Sequence, residues 1–235
     1  MSQRHDMYSN VHKGLRHALC ALLAQAGTTG ATREELDALV SGWQDMQLLL
    51  SAHQHHEDLF IGPHLRTLAP AVFARMEREH TLLHDELAQL AGSARFLMSD
   101  DRELELRART FYRQLAGFIG RYFAHMAEEE SVYIEALQAR YSDGELAAIE
   151  SALVASIEPG LMAAFCRAMF PALTADECFL MLDDVRQNAP PPVFVELRQL
   201  AEHVVDQSIW HGVQRKLSGS SPTAPALPLP VMLEG

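Results

Sequence analysis

The sequence predicts an all-α protein: an up-and-down antiparallel four-helix bundle with a C-terminal helical extension. Three observations carry that expectation. Four long segments between residues of about 6 and 140 repeat apolar side chains with helical period. Capping signals and Gly or Pro breaks separate them. No segment alternates with period two for long enough to argue a strand. Long helices joined by short connections favour antiparallel neighbours, which gives the bundle.

The first helix is expected over about 6 to 26, on the repeat Tyr8, Val11, Leu15, Leu19 and Leu22, before a Gly27-Thr-Thr-Gly30 break. Thr32-x-x-Glu35 reads as a capping box that opens a second helix, running to about Ile61 and stopped by Gly62-Pro63. A third begins after Pro70 and runs into the mid-90s. Asp100 and Asp101 open a fourth, with Glu103 placed for a capping box, and its stripe of Leu115, Phe118, Tyr122, Val132 and Leu137 reaches about Arg140. Beyond Tyr141, Ser142-x-x-Glu145 and Thr174-x-x-Glu177 start further helices, and Pro159, Pro171 and Pro190-Pro191-Pro192 separate them. The expected organisation is a bundle over 1–141, a helical extension over 142–217, and a Pro- and Ser-rich tail over 218–235.

Composition narrows the function. Acidic residues outnumber basic ones by 31 to 19, a formal charge of −12, so a nucleic-acid backbone would be repelled. No apolar run has the length to span a bilayer, and MSQRHDMYSN lacks a signal-peptide core, so a cytoplasmic protein without a membrane partner is expected. Cys20, Cys166 and Cys178 form no C-x-x-C pair, which leaves no thiolate metal site and no disulfide framework. The 12 histidines are the anomaly.

On a helix, residues four apart differ by about 40° in direction and about 6 Å in height, so such a pair can grip one small object. Three pairs have this spacing: His53 with Glu57, His80 with His84, and His125 with Glu129. Each lies in its helix's apolar stripe, and His12 lies in line with Tyr8, Leu15 and Leu19 on the first helix. A carboxylate in an apolar core costs several kcal/mol unless it is paired or metal-bound, and no Lys or Arg accompanies Glu57 or Glu129 in these stripes. Metal is the natural partner. Five imidazoles and two carboxylates exceed what one ion takes but suit two ions bridged by both carboxylates. His56 is placed outside the site, because four residues on it meets Phe60 rather than a carboxylate. His17, His55 and His64 fall off the stripes or in a turn, and His5, His203 and His211 have no partner at ligand spacing.

These residues carry a resemblance. His12-Lys-Gly-Leu-Arg16, His53-x-x-x-Glu57-x-Leu-Phe60, Glu79-His80-x-x-x-His84 and His125-Met-Ala-Glu-Glu129 are together similar to the hemerythrin-like, or HHE cation-binding, family. The resemblance implies a non-haem di-iron centre in which His80, His84 and His125 hold one iron, His12 and His53 hold the other, and Glu57 and Glu129 bridge, with an oxo or hydroxo bridge between the irons. The last carboxylate follows its histidine by four residues, as in bacterial relatives, whereas the invertebrate oxygen carriers place an Asp five residues on. A ferritin-like di-iron bundle would need two Glu-x-x-His motifs, and only Glu77-x-x-His80 is present.

With an oxygen bridge counted, the first iron is six-coordinate and the second has one open position. An apolar pocket there admits dioxygen, nitric oxide or peroxide. The expected function is therefore binding or sensing of dioxygen or a similar small diatomic. Two alternatives stand beside it: a di-iron oxidoreductase acting on peroxide or nitric oxide, or an iron-donating repair protein; and a metal-stabilised interaction module whose C-terminal helices meet a protein partner or a second copy. Turnover wants a proton donor, and Tyr8, Tyr122 and His56 are the nearest by helical spacing. Zinc or manganese would suit the same donors.

Overall fold

A repeat that alternates steps of three and four residues keeps one stripe on one side of a helix, and four long helices of this protein obey it. The computed structural model describes residues 4–30, 32–98 and 103–219, which are helices joined by short turns with no strand among them. The long helices are α1 (Ser9–Thr28), α2 (Arg33–Phe60), α4 (Pro70–Leu97) and α5 (Leu104–Glu128), and a short α3 (Gly62–Leu68) joins α2 to α4. On α1 the buried stripe is Tyr8, His12, Leu15, Leu19, Leu22 and Ala26. On α2 it is Leu36, Leu39, Trp43, Met46, Leu50, His53 and Glu57. On α4 it is Met76, His80, Leu83, Leu87, Leu90, Ala94 and Leu97, and on α5 Ala108, Phe111, Leu115, Phe118, Tyr122, His125 and, one turn on, Glu129. The polar residues of interest are thus members of apolar seams, and none of the four seams is broken to admit them.

The chain forms two compact units, Ala18–Leu137 and the combination of Met1–His17 with Gln138–Gly235. In the first unit Trp43 anchors the core, its ring edge-on to Phe111 and Phe118 at 6.2 and 6.1 Å. Helices α4 and α5 run antiparallel there, and three cross-links fix their register: His80 with His125, Glu86 with Arg121, and the Phe96 carbonyl with Arg107. The predicted capping box at Thr32 and Glu35 is present.

Two details of the fourth helix depart from expectation. Asp100 and Asp101 lie outside the described residues; Glu103 occupies the N-cap position with a left-handed φ of 57° and makes no side-chain cap. Further on, α5 passes into a π-turn at Glu129–Tyr133 before α6 (Ile134–Gln138). A π-turn holds one residue more than an α-turn, so the seam steps from Glu129 to Tyr133 and Leu137, and Val132, expected in the stripe, is 37% exposed.

The second unit holds α7 (Asp143–Ser156), α8 (Pro159–Met169), a 3-10 turn, α9 (Ala175–Asn188), α10 (Pro191–Val204) and α11 (Gln207–Gly219), with both expected capping boxes formed at Ser142 and Thr174. Its core gathers Cys166, Phe170, Leu173, Leu182, Trp210 and Val213. The start of the chain belongs to this unit. The Arg4 guanidinium donates to Asp143 and to the Gln138 and Tyr141 carbonyls, Lys13 pairs with Glu177, and Gly14 comes so close to α8 that a Cβ there would stand 2.8 Å from the Met169 Cα. No single helix among the described residues is long and apolar enough to cross a membrane; the one pair that passes jointly, Asp143–Ser156 with Pro159–Ala172, is bent by 118°.

Candidate metal centre

Within the unit Ala18–Leu137, the seams of α4 and α5 each deliver a histidine to one level, and α2 and the π-turn each add a carboxylate. Glu57, His80, His125 and Glu129 offer donor atoms that all lie within 4.8 Å of one another, and all four are buried. His80 Nε2 stands 3.0 Å from His125 Nε2, and His125 Nε2 stands 3.0 Å from Glu129 Oε1. Donors held at about 2.0–2.2 Å by one ion lie about 3 Å apart when they meet it at right angles, so these edges match a coordination shell. Glu57 Oε2 and Glu129 Oε1 are each 3.7 Å from His80 Nε2. On the far side of Glu57, His53 Nε2 is 3.3 Å from Oε1. These buried groups could hold a metal ion.

The tautomers sharpen the point. His80 Nδ1 donates to Asp58 at 2.7 Å, and His125 Nδ1 donates to Glu79 at 2.9 Å. With Nδ1 protonated, the neutral ring presents a lone pair at Nε2. Two such lone pairs at 3.0 Å repel unless something positive lies between them, a proton or a metal ion. In the metal-free protein a proton serves: against the effect of burial, hydrogen bonding to Asp58 and Glu129 raises His80 to about 9. Burial, reinforced by the facing Glu129, likewise pushes the Glu57 carboxyl well above the usual range, and neither of its oxygens accepts a hydrogen bond of good geometry. A carboxylate buried with so little compensation is what metal coordination relieves.

Around the donors lies a polar layer that sequence patterning did not reveal. Glu79 accepts from His125 Nδ1, from the Tyr133 hydroxyl at 2.9 Å and from Arg75 Nε at 2.9 Å, while Arg75 also pairs with Glu128 at 2.8 Å. Although burial opposes it, these three donors hold Glu79 below the ordinary carboxylate range. Gln54 Nε2 donates to the His80 carbonyl at 3.1 Å. Asp58 and Glu79 each sit beside an expected ligand in sequence, but their partners are on another helix, so only the register of α2 on α4 and of α4 on α5 shows the pairing. The π-turn was equally hidden, and it is what turns Tyr133 toward Glu79.

Of the expected donors in this unit, His53, Glu57, His80, His125 and Glu129 are gathered. His84 is not: it is exposed and joins no donor group. The reason lies in the phase of the seams. From His53 and from His125 the next core step is four residues, which lands on Glu57 and Glu129; from His80 it is three, which lands on Leu83 and leaves His84 on the flank. His56 is buried, with Nδ1 turned back to the Ala52 carbonyl at 2.6 Å, and lies outside the donor group. His12, on the part of α1 that belongs to the other unit, is fully buried with its ring 5.2 Å from that of Tyr8.

No family model matches the chain, and no curated protein or solved structure matches it significantly. The donor chemistry must therefore carry the functional reading alone. Two imidazoles and two carboxylates, dry and oriented by outer carboxylates, suit iron, manganese or zinc.

Proposed function

We propose that this protein is a hemerythrin-like, non-haem di-iron protein that binds or senses dioxygen or a similar small diatomic. In this reading α1, α2, α4 and α5 form an up-and-down four-helix bundle, Glu57 and Glu129 would be shared by the two irons, and His53, His80 and His125 would supply imidazoles. The observation that carries the proposal is the pair of Nε2 atoms of His80 and His125, 3.0 Å apart, each with its Nδ1 committed to a carboxylate and both facing two buried glutamates. A diferrous pair supplies the electrons that dioxygen takes up on binding.

The protein's own residues do the rest. Asp58 and Glu79 fix ring orientation and tautomer, and conserve basicity at Nε2. The apolar seams exclude water and large polar molecules, so entry is left to small neutral ones. Anaerobic reconstitution with ferrous ion tests the proposal: two irons per chain and a charge-transfer absorption that appears in air and fades on deoxygenation are expected. Retention of zinc alone, or of no metal, overturns it.

One observation favours a second reading, turnover of peroxide or nitric oxide. Tyr122 is buried beside the centre, its ring 6.1 Å from that of His125, and burial together with Glu57 and Glu129 holds its phenol protonated. A phenol in that place could deliver a proton. Steady-state consumption of either substrate beyond that of free iron identifies the enzyme, and its absence leaves the binding protein.

A further inference from the structure

The resemblance closes one metal with three imidazoles and leaves the open position on the other, and this chain's seams argue for the reverse emphasis. His80 and His125 meet at one level of the antiparallel pair α4 and α5. Three residues along α4 and three residues back along α5, the next core positions are Leu83 and Tyr122, both buried. The Glu86 to Arg121 cross-link, one step further, keeps the register. The level from which a third imidazole would reach the metal is therefore filled by a leucine and a phenol, while His84 points to solvent. To bring His84 in, α4 would have to rotate by roughly 40°, which would turn Leu83 outward and draw His80 off its contact with Asp58.

Within the di-iron reading, on which this rests, we infer that a metal held by His80 and His125 would take no third imidazole from α4 and would have Leu83 and Tyr122 as its neighbours at the next core level. Tyr122, buried with its ring 6.1 Å from that of His125, would then be the candidate hydrogen-bond donor to a small anion or diatomic at that metal, and Leu83 its apolar neighbour. Exchange at this metal makes Tyr122 a specificity-determining residue for whatever binds.

Stoichiometry and an anion probe test the inference in the full-length chain. The chelated protein is titrated anaerobically with ferrous ion and, separately, with cobaltous ion, whose visible absorption reports coordination number. Wild type and His84→Ala are expected to take the same two equivalents with dissociation constants within about threefold, and His80→Ala to take one fewer. Azide, titrated into the ferric protein, is expected to bind His84→Ala as it binds wild type and to bind Tyr122→Phe about threefold or more weakly, the usual effect of one lost hydrogen bond. Loss of one equivalent in His84→Ala, or unchanged azide affinity in Tyr122→Phe, overturns the inference. A wild-type chain that takes up no metal defeats the di-iron reading itself, so the two failures are distinguishable.

Discussion

Glu57 illustrates how a functional side chain is held against its own stability. Burial and Glu129 raise its pKa well above 4.5, so at neutral pH the folded, metal-free chain either carries a proton there or pays for a buried charge. The sign follows: a carboxyl raised on folding destabilises at every pH above its unfolded value. Glu57→Gln, a neutral isostere, is therefore expected to raise the melting temperature of the chelated protein, by roughly 2–4 °C per kcal/mol relieved, while weakening metal binding by more than about 100-fold. Thermal melts with and without metal check both signs, and a lower melting temperature without metal would refute the argument. Glu79→Ala removes the acceptor shared by His125, Tyr133 and Arg75. Metal affinity should fall by about 10- to 100-fold while the stoichiometry holds, as a metal titration would show. His-x-x-x-Glu spacing on a strong apolar stripe made Glu57 and Glu129 legible before any coordinates. Glu79 and Asp58 were not legible, because their role depends on which residue of a different helix lies opposite. His84 stands apart from the donors because spacing of four does not by itself bring a residue into the core; the seam must also take its four-residue step at that turn.

Among the helices, starts were easier to read than interruptions. Thr32, Ser142 and Thr174 each cap a helix as the S/T-x-x-E pattern predicts, since the hydroxyl and the carboxylate satisfy backbone groups locally. The π-turn at Glu129–Tyr133 escaped, since nothing in local propensity marks it; it is set by tertiary contacts that need both Glu129 and Tyr133 on one side. Tyr133→Phe should cost about 1 kcal/mol through the lost bond to Glu79, measurable by denaturant titration. Close approach is a second element-level feature. Gly14 meets the backbone of α8 at Met169, and Gly14→Ala forces that contact open, with an expected cost of about 1–3 kcal/mol. Chemical denaturation checks this as well; an unchanged midpoint would show that α8 yields freely.

For the chain as a whole, the all-helical class was readable from periodicity and the absence of alternation; the pairing of the start of the chain with the C-terminal helices was not. Composition hardly changes at residue 141, and the adhesion of residues 4–17 to the C-terminal helices rests on particular contacts such as Arg4 with Asp143 and Lys13 with Glu177. Those contacts also set the acid response. Asp143, held low by Arg4, Glu177, held low by Lys13, and the capping carboxylates Glu35 and Glu145, held low by their hydroxyl and backbone partners, all have folded values beneath 3.8 or 4.5. Their stabilisation is complete above the unfolded values and is lost as pH falls through the folded ones. These carboxylates should thus cause no fall in melting temperature between pH 7 and about 5 and a decline below about 4.5; a decline starting near pH 6 would point to histidines instead.

Helix α1 is one unbroken rod whose first turns serve one compact unit and whose remainder serves the other. Dissection by truncation is consequently treacherous: trimming away everything after residue 137 to obtain a minimal metalloprotein would also strip the neighbours of Lys13 and Gly14, fraying the end of the rod that bears His12. A shortened version that fails to load metal would then report a damaged helix end, not a missing ligand, and the intact polypeptide is the proper object for every loading experiment.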